Sequence, residues 1–106
     1  MTFQSNLELK NDVAVITMSG ELDAASAPTL RTDVEKAAAA TPKRLVLDMT
    51  DLEFMASAGL RMIVFSKQKM GEAVDLYIAG APEMVVDTLE KAGFHHSVIL
   101  VDQYAA

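Results

Sequence analysis

Leu45-Val46-Leu47-Asp48-Met49-Thr50-Asp51-Leu52-Glu53-Phe54-Met55-Ala56-Ser57-Ala58-Gly59-Leu60-Arg61-Met62-Ile63-Val64-Phe65 is the stretch on which the fold of this chain turns. Leu45 to Met49 reads as an apolar strand, and Leu45-Val46-Leu47 is its most strand-like run, suited to the interior of a sheet. The polar pair Thr50-Asp51 reads as a turn. From Ser57 onward the chain is rich in helix formers as far as Met70, and Gly71 closes the segment. Ser57 therefore lies where a strand and loop become a helix. Helix starts leave backbone N–H groups without partners and carry partial positive charge, which a Ser suits as N-cap and which accommodates a phosphate. At 100° per residue, Leu60, Ile63, Val64, Lys67 and Met70 form one broad stripe, the expected core face. Met62 and Phe65 fall on roughly the opposite side. Such a helix is either buried all round or offers a partner surface.

Outward from this stretch the chain alternates strands and helices. Phe3, Leu7 and Leu9 alternate with polar residues, as in a half-buried edge strand, and Asn11-Asp12 is a turn signal. Val13 to Met18 is a β-branched, apolar run that completes an antiparallel hairpin. Gly20-Glu21-Leu22-Asp23 follows. Asp23 or Ser26 is then placed to cap a helix with Pro28 in its first turn and Leu30, Val34, Ala37 and Ala38 along one face. Thr41-Pro42 stops it. Beyond Gly71, Val74 to Ala79 reads as a strand. A helix opened by Gly80-Ala81-Pro82 carries Val85, Leu89 and Ala92 and ends at Gly93. Val98 to Val101 reads as a last buried strand, and Asp102 to Ala106 as a frayed tail.

The order β-β-α-β-α-β-α-β predicts a single α/β domain over 1–106. Its sheet is mostly parallel, four- to five-stranded, with an N-terminal antiparallel hairpin and three or more helices. Right-handed crossovers that add each strand on the same side put every helix on one face, whereas the apolar strands favour cover on both. The residues leave that choice open.

Composition narrows the function classes. The 106 residues carry 15 acidic and 9 basic side chains, a net charge of −6, with no basic cluster longer than Lys43-Arg44, so nucleic acid and anionic membrane are not expected partners. Cysteine is absent, which removes disulfides, thiol catalysis and cysteine metal sites. No apolar run approaches the roughly 20 residues of a membrane span, and Met1 to Asn6 lacks the features of a signal peptide. A cytoplasmic protein is expected. His95-His96 diverge on a strand or helix and read as a loop pair rather than a metal site, and no Gly-rich phosphate loop is present. No catalytic constellation and no cofactor are expected. The carboxylates Glu21, Asp23, Asp51 and Glu53 are placed to gather near the start of the Ser57 helix, where caps and solvated charges are the plainer roles.

The segments Gly20-Glu21-Leu22-Asp23, Leu45-Val46-Leu47-Asp48, Asp51-Leu52 and Phe54-Met55-Ala56-Ser57-Ala58-Gly59-Leu60 resemble the STAS domain family, specifically its single-domain anti-sigma factor antagonists. The resemblance spans nearly the whole chain. It implies that Ser57 is phosphorylated by an anti-sigma factor that is a serine kinase, that the unphosphorylated chain sequesters this kinase to regulate transcription, and that a PP2C-like serine phosphatase resets the switch. The partner surface is expected to take in Glu21, Asp23, Met55, Ala56, Ala58, Gly59 and Arg61, joined by Met62 and Phe65 from the second apolar face of the helix. Family members read Phe-Met-Asp-Ser-Ser/Thr-Gly-Leu in the last block. Ala56 and Ala58 depart from that pattern, and the first departure removes a negative charge. A second function class is an accessory subunit of a transporter or scaffold complex, with Ser57 only a helix cap.

Overall fold

A computed structural model describes residues 2–105. Five strands form one sheet in the spatial order β1 (Gln4–Lys10), β2 (Val13–Leu22), β3 (Arg44–Met55), β4 (Asp75–Ala79) and β5 (Ile99–Val101). The β1–β2 pair is antiparallel and all later pairs are parallel. Asn11 and Asp12, both with positive φ (52° and 67°), make the two-residue turn that joins the first pair. Two left-handed residues match the twist of the flanking strands, which is why an Asn-Asp pair serves here. The helices are α1 (Ala27–Ala39), α2 (Ser57–Met70) and α3 (Glu83–Lys91), with a 3₁₀ turn at Phe94–His96 before β5.

All three helices cover the same face of the sheet. Register sets Ala14, Leu45 and Leu76 side by side, and Ile16, Leu47 and Ile78 in the next row. These residues share one core with Leu30, Val34 and Ala37 of α1, Met62 and Ile63 of α2, and Val85 and Leu89 of α3. Sequential strand order with right-handed crossovers produces this one-sided arrangement. The other face is only thinly covered. Val46 there is nonetheless 1 % exposed and Ala79 is buried, although neither belongs to that core.

The C-terminal segment accounts for part of that cover and corrects the expectation of a frayed tail. Tyr104 meets the Tyr77 ring edge-on at 5.0 Å between centroids. The Arg44 guanidinium donates to the Tyr104 hydroxyl at 3.1 Å and lies 5.6 Å from the Tyr77 ring centre. The terminal Ala106, part of the expected tail, lies outside the described residues, as does Met1.

Four further expectations are corrected. Thr50-Asp51 is not a turn, because β3 continues to Met55. Its partner β2 also runs on to Leu22, and the ladder Ser19–Asp51, Gly20–Leu52, Glu21–Phe54 and Leu22–Met55 keeps the polar pair in the sheet. Gly20, at φ +84°, sits at the register shift, where an added Cβ would run into the Thr2 carbonyl. The last strand is an edge, with Ile99 exposed, and not a buried strand. Ala92 follows α3 as its C-cap and is exposed. His95 and His96 do not diverge: the tight turn brings their rings to 3.9 Å between centroids.

Candidate functional site

The site lies where the parallel strands β2 and β3 end together. Beyond Leu22 and Met55 the two chains part, one into the turn before α1 and the other directly into α2. The Ala56 N–H still donates to the Leu22 carbonyl at 2.8 Å, which ties the start of α2 to the end of β2. Strand ends in such sheets collect functional loops because the backbone there is positioned by the sheet yet open to solvent.

Ser57 is the first residue of α2, and the N-cap is Ala56, held extended at φ −84° and ψ 176°. No side chain caps this end. Ser57 is exposed and its hydroxyl makes no cap, contrary to the plainest reading of a serine at a helix start. The helix instead closes through Ala56, whose carbonyl accepts the Gly59 N–H at 2.9 Å. The role of Ser57 as only a helix cap, which went with the accessory-subunit reading, is not what this helix start shows. The first turn of α2 also holds no acidic residue.

Across from it, the turn after β2 is internally satisfied. Asp23 Oδ1 accepts the backbone N–H groups of Ala25 at 3.1 Å and Ser26 at 3.0 Å. The Ser26 hydroxyl accepts the Asp23 N–H at 2.9 Å and donates to the Glu21 carbonyl, also at 2.9 Å. The Ser26 N–H, with the Ala25 N–H beside it, holds the Asp23 carboxyl below the usual carboxylate range. Asp23 thus rigidifies the turn and shapes it as an Asx-type loop. Glu21 is exposed, with its neighbour in register Phe54. Asp51 lies farther back, level with Ser19, so the expected four carboxylates do not converge.

The expected partner residues separate into two groups. Glu21, Ser57 and Arg61 are exposed, and Asp23, Ala56, Ala58 and Phe65 are half-buried. Met55, Gly59 and Met62 are buried. Met55 ends β3 and packs beneath Gly59, whereas for Gly59 and Met62 the cause is the face that α2 turns inward. The buried face of α2 is Gly59, Met62, Ile63 and Ser66, not the stripe through Leu60, Val64 and Lys67. At 100° per residue these two sets are centred about 115° apart, and Ile63 of the expected stripe is buried as expected. Small residues set the true face: a Cβ at Gly59 would collide with Met55 Cγ and lie 3.0 Å from Leu22 Cδ2. Ser66 is fully buried with its hydroxyl donating to the Met62 carbonyl at 2.7 Å. Phe65 rests at the α1–α2 seam, with the Arg31 guanidinium 4.6 Å above its ring.

Two features escaped the sequence reading. Phe54, 44 % exposed, is a large apolar side chain two positions before Ala56 and beside Glu21 in the ladder. The only signal for it was its place in a strand whose alternation breaks. An open groove of about 270 Å³ between α1 and α2 is lined by Ala24, Ala27, Pro28, Ala58 and Met62 together with Arg31 and Arg61. No periodicity announces it, because α1 and α2 supply the two walls from distant sequence. Among the described residues no three His, Cys, Asp or Glu side chains gather as a metal site, and no helix is long and apolar enough to cross a membrane.

Comparison with known proteins agrees with this architecture. Residues 4–105 match the STAS domain family. The anti-sigma-F factor antagonist RsfB of Mycobacterium tuberculosis is 34% identical over 64 residues, which are 60% of this chain and 52% of that protein. The match thus spans about half the length of that relative. The fold is shared with the crystal structure of an anti-sigma factor antagonist from Mycobacterium paratuberculosis, with a TM-score of 0.88 and 24% identity, over 96% of this chain and 87% of that one. It is shared also with the Bacillus cell fate determinant SpoIIAA in its phosphorylated form, with a TM-score of 0.73 and 16% identity, over 92% and 90% of the two chains. A mixed sheet with an antiparallel N-terminal hairpin, three helices on one face and a family match from residue 4 to residue 105 place the chain in the STAS domain family.

Proposed function

We propose that this protein is an anti-sigma factor antagonist that binds an anti-sigma serine kinase while Ser57 is unphosphorylated and releases it when Ser57 carries a phosphate. The observation that carries the proposal is the exposed Ser57 hydroxyl at the first position of α2, which the helix does not use as a cap. In this reading the kinase transfers the γ-phosphoryl group of a nucleoside triphosphate to Ser57 Oγ. The hydroxyl proton passes to a base on the kinase and the diphosphate leaves. A PP2C-like phosphatase hydrolyses the ester and restores the hydroxyl. The chain performs no catalysis of its own and acts in the cytoplasm.

Electrostatics support a switch at the interface rather than in the fold. Phosphorylation adds about −1.5 to −2 charges at pH 7. With Ala56 in place of the family's Asp, no carboxylate of the first helical turn opposes that charge, so the domain tolerates it. Repulsion arises instead where a partner has docked a neutral hydroxyl beside the Glu21–Asp23 edge. The exposed Phe54, three residues before Ser57, and the α1–α2 groove, which Ala58 lines, give that partner apolar surface.

The test is binding of the cognate kinase to Ser57→Asp and Ser57→Ala chains, together with mass spectrometry of the native chain after incubation with kinase and ATP. Ser57→Asp is expected to weaken binding at least tenfold, while Ser57→Ala binds and resists release. Equal binding by both variants and the native chain sinks the reading.

A further inference from the structure

We propose that a phosphate on Ser57 is received by Arg61 of the same helix, and that this capture draws Arg61 out of the wall of the α1–α2 groove. The inference rests on Ser57 being the phosphoacceptor. It adds a route by which the modification acts beyond simple repulsion.

The geometry is that of an i, i+4 pair. Ser57 and Arg61 stand one turn apart on α2, a spacing that brings Cβ atoms to about 5–6 Å and lets long side chains meet their neighbour. Both are exposed. The two arginines at the groove differ in their commitments. Arg31 is stacked over Phe65 at 4.6 Å and paired with Glu35 at 3.7 Å on its own helix. Arg61 has no hydrogen bond, ion pair or ring contact among the described residues. It is therefore the uncommitted guanidinium beside Ser57. A guanidinium matches phosphate oxygens with two parallel N–H donors, a stronger pairing than a neutral hydroxyl offers. The Asp23 carboxylate is turned to its own loop, its Oδ1 accepting the Ala25 and Ser26 N–H groups, and it forms no ion pair with Arg61 among the described residues. No acidic side chain lies in the first turn of α2.

The consequence falls on the groove. Ala27, Pro28, Ala58 and Met62 make its lining apolar, and Arg31 and Arg61 are its charged members. On a chain of net charge −6, two guanidiniums in an apolar lining suit a segment of the kinase that presents a carboxylate next to apolar side chains. In the unphosphorylated chain Arg61 is available to that carboxylate. Once Ser57 carries a phosphate, Arg61 pairs within its own helix and the groove loses one of its two cations. Phosphorylation then opposes docking twice, by adding a negative charge and by withdrawing a positive one.

The experiment places phosphoserine at residue 57 of the full chain during translation, so that no kinase is needed, and follows the ³¹P signal with pH. The second phosphate ionisation, ordinarily near pH 6, falls when a cation holds the dianion. The native chain is expected to titrate lower than Arg61→Ala by about 0.3–0.7 pH units, the size of an exposed ion pair. Arg61→Lys is expected to recover part of that difference. The Met62 methyl resonance is expected to move on phosphorylation of the native chain and to stay in place in Arg61→Ala. Identical ³¹P titrations of the native chain and Arg61→Ala overturn the capture, and a Met62 shift retained in Arg61→Ala overturns the effect on the groove. Neither outcome depends on kinase binding, so a failure here is distinct from a failure of the Ser57 switch itself.

Discussion

At the scale of single residues, the smallest side chain near Ser57 does most to position it. Gly59 lets α2 approach the strand ends so closely that a Cβ would meet Met55 Cγ and Leu22. Those two residues are the last paired positions of β2 and β3. Gly59→Ala gains about 1 kcal/mol of helix propensity. The overpacking costs about 1–3 kcal/mol, because buried neighbours must leave their rotamers. The expected net result is a loss of about 1 kcal/mol and a thermal midpoint lower by about 4–8 °C. A midpoint equal to or above that of the native chain would show that Met55 yields freely and that the close approach is not needed. Asp23 works differently, by hydrogen bonds within its own turn. Because its carboxyl is held below the ordinary value, its contribution is present above the ordinary Asp range and disappears only as the pH falls through the lowered folded value.

At the scale of the element, α2 serves two masters. One face closes on the sheet through Gly59, Ile63 and Ser66, while its flank meets α1 through Met62 and Phe65. The apolar residues at 62 and 65 signalled a second surface, and that surface is largely taken by α1. Phe65 is half-buried beneath Arg31, so truncation is not free. Phe65→Ala is expected to cost about 1–3 kcal/mol in urea unfolding, below the 3–5 kcal/mol of a fully buried Phe. Of this, about 0.5–1 kcal/mol belongs to the cation–π contact. A double-mutant cycle with Arg31→Ala isolates that part. A coupling energy of zero would mean that the ring is held by apolar contact alone.

At the scale of the whole molecule, helices on one face leave the sheet with an unbalanced second side. The tail partly corrects this by setting Tyr104 against Tyr77 and Arg44. Tyr104→Ala removes an aromatic pair worth about 0.5–1.5 kcal/mol and an exposed hydrogen bond at the low end of about 0.5–1.5 kcal/mol. The loss expected in stability is about 1–2 kcal/mol. Hydrogen exchange should locate it: amides of Tyr77 to Ala79 and of β5 exchange faster, while Leu45 to Met49 of the central strand remain the best protected. Unchanged exchange at Tyr77 to Ala79 would return the tail to the role of a loose end.

The order of elements, the hairpin and the central position of Leu45 to Met49 were legible because they depend on local chemistry. Apolar runs, β-branched residues, Pro and Gly breaks, and the Asn11-Asp12 turn act over a few residues each. Ser57 was legible as a position, at the junction of strand and helix. Three matters were decided only by tertiary structure. The strand end at Met55 is set by pairing with β2, which holds Thr50-Asp51 extended against its turn preference. The cap of α2 is Ala56 rather than Ser57, because the Leu22 carbonyl fixes the backbone one residue earlier. The buried face of α2 follows the small residues Gly59 and Ser66, whose value lies in what they allow to come near. Hydrophobic periodicity counts what a side chain brings to the core. It has no measure of close approach, and that is the property by which Gly59 holds Ser57 at the surface.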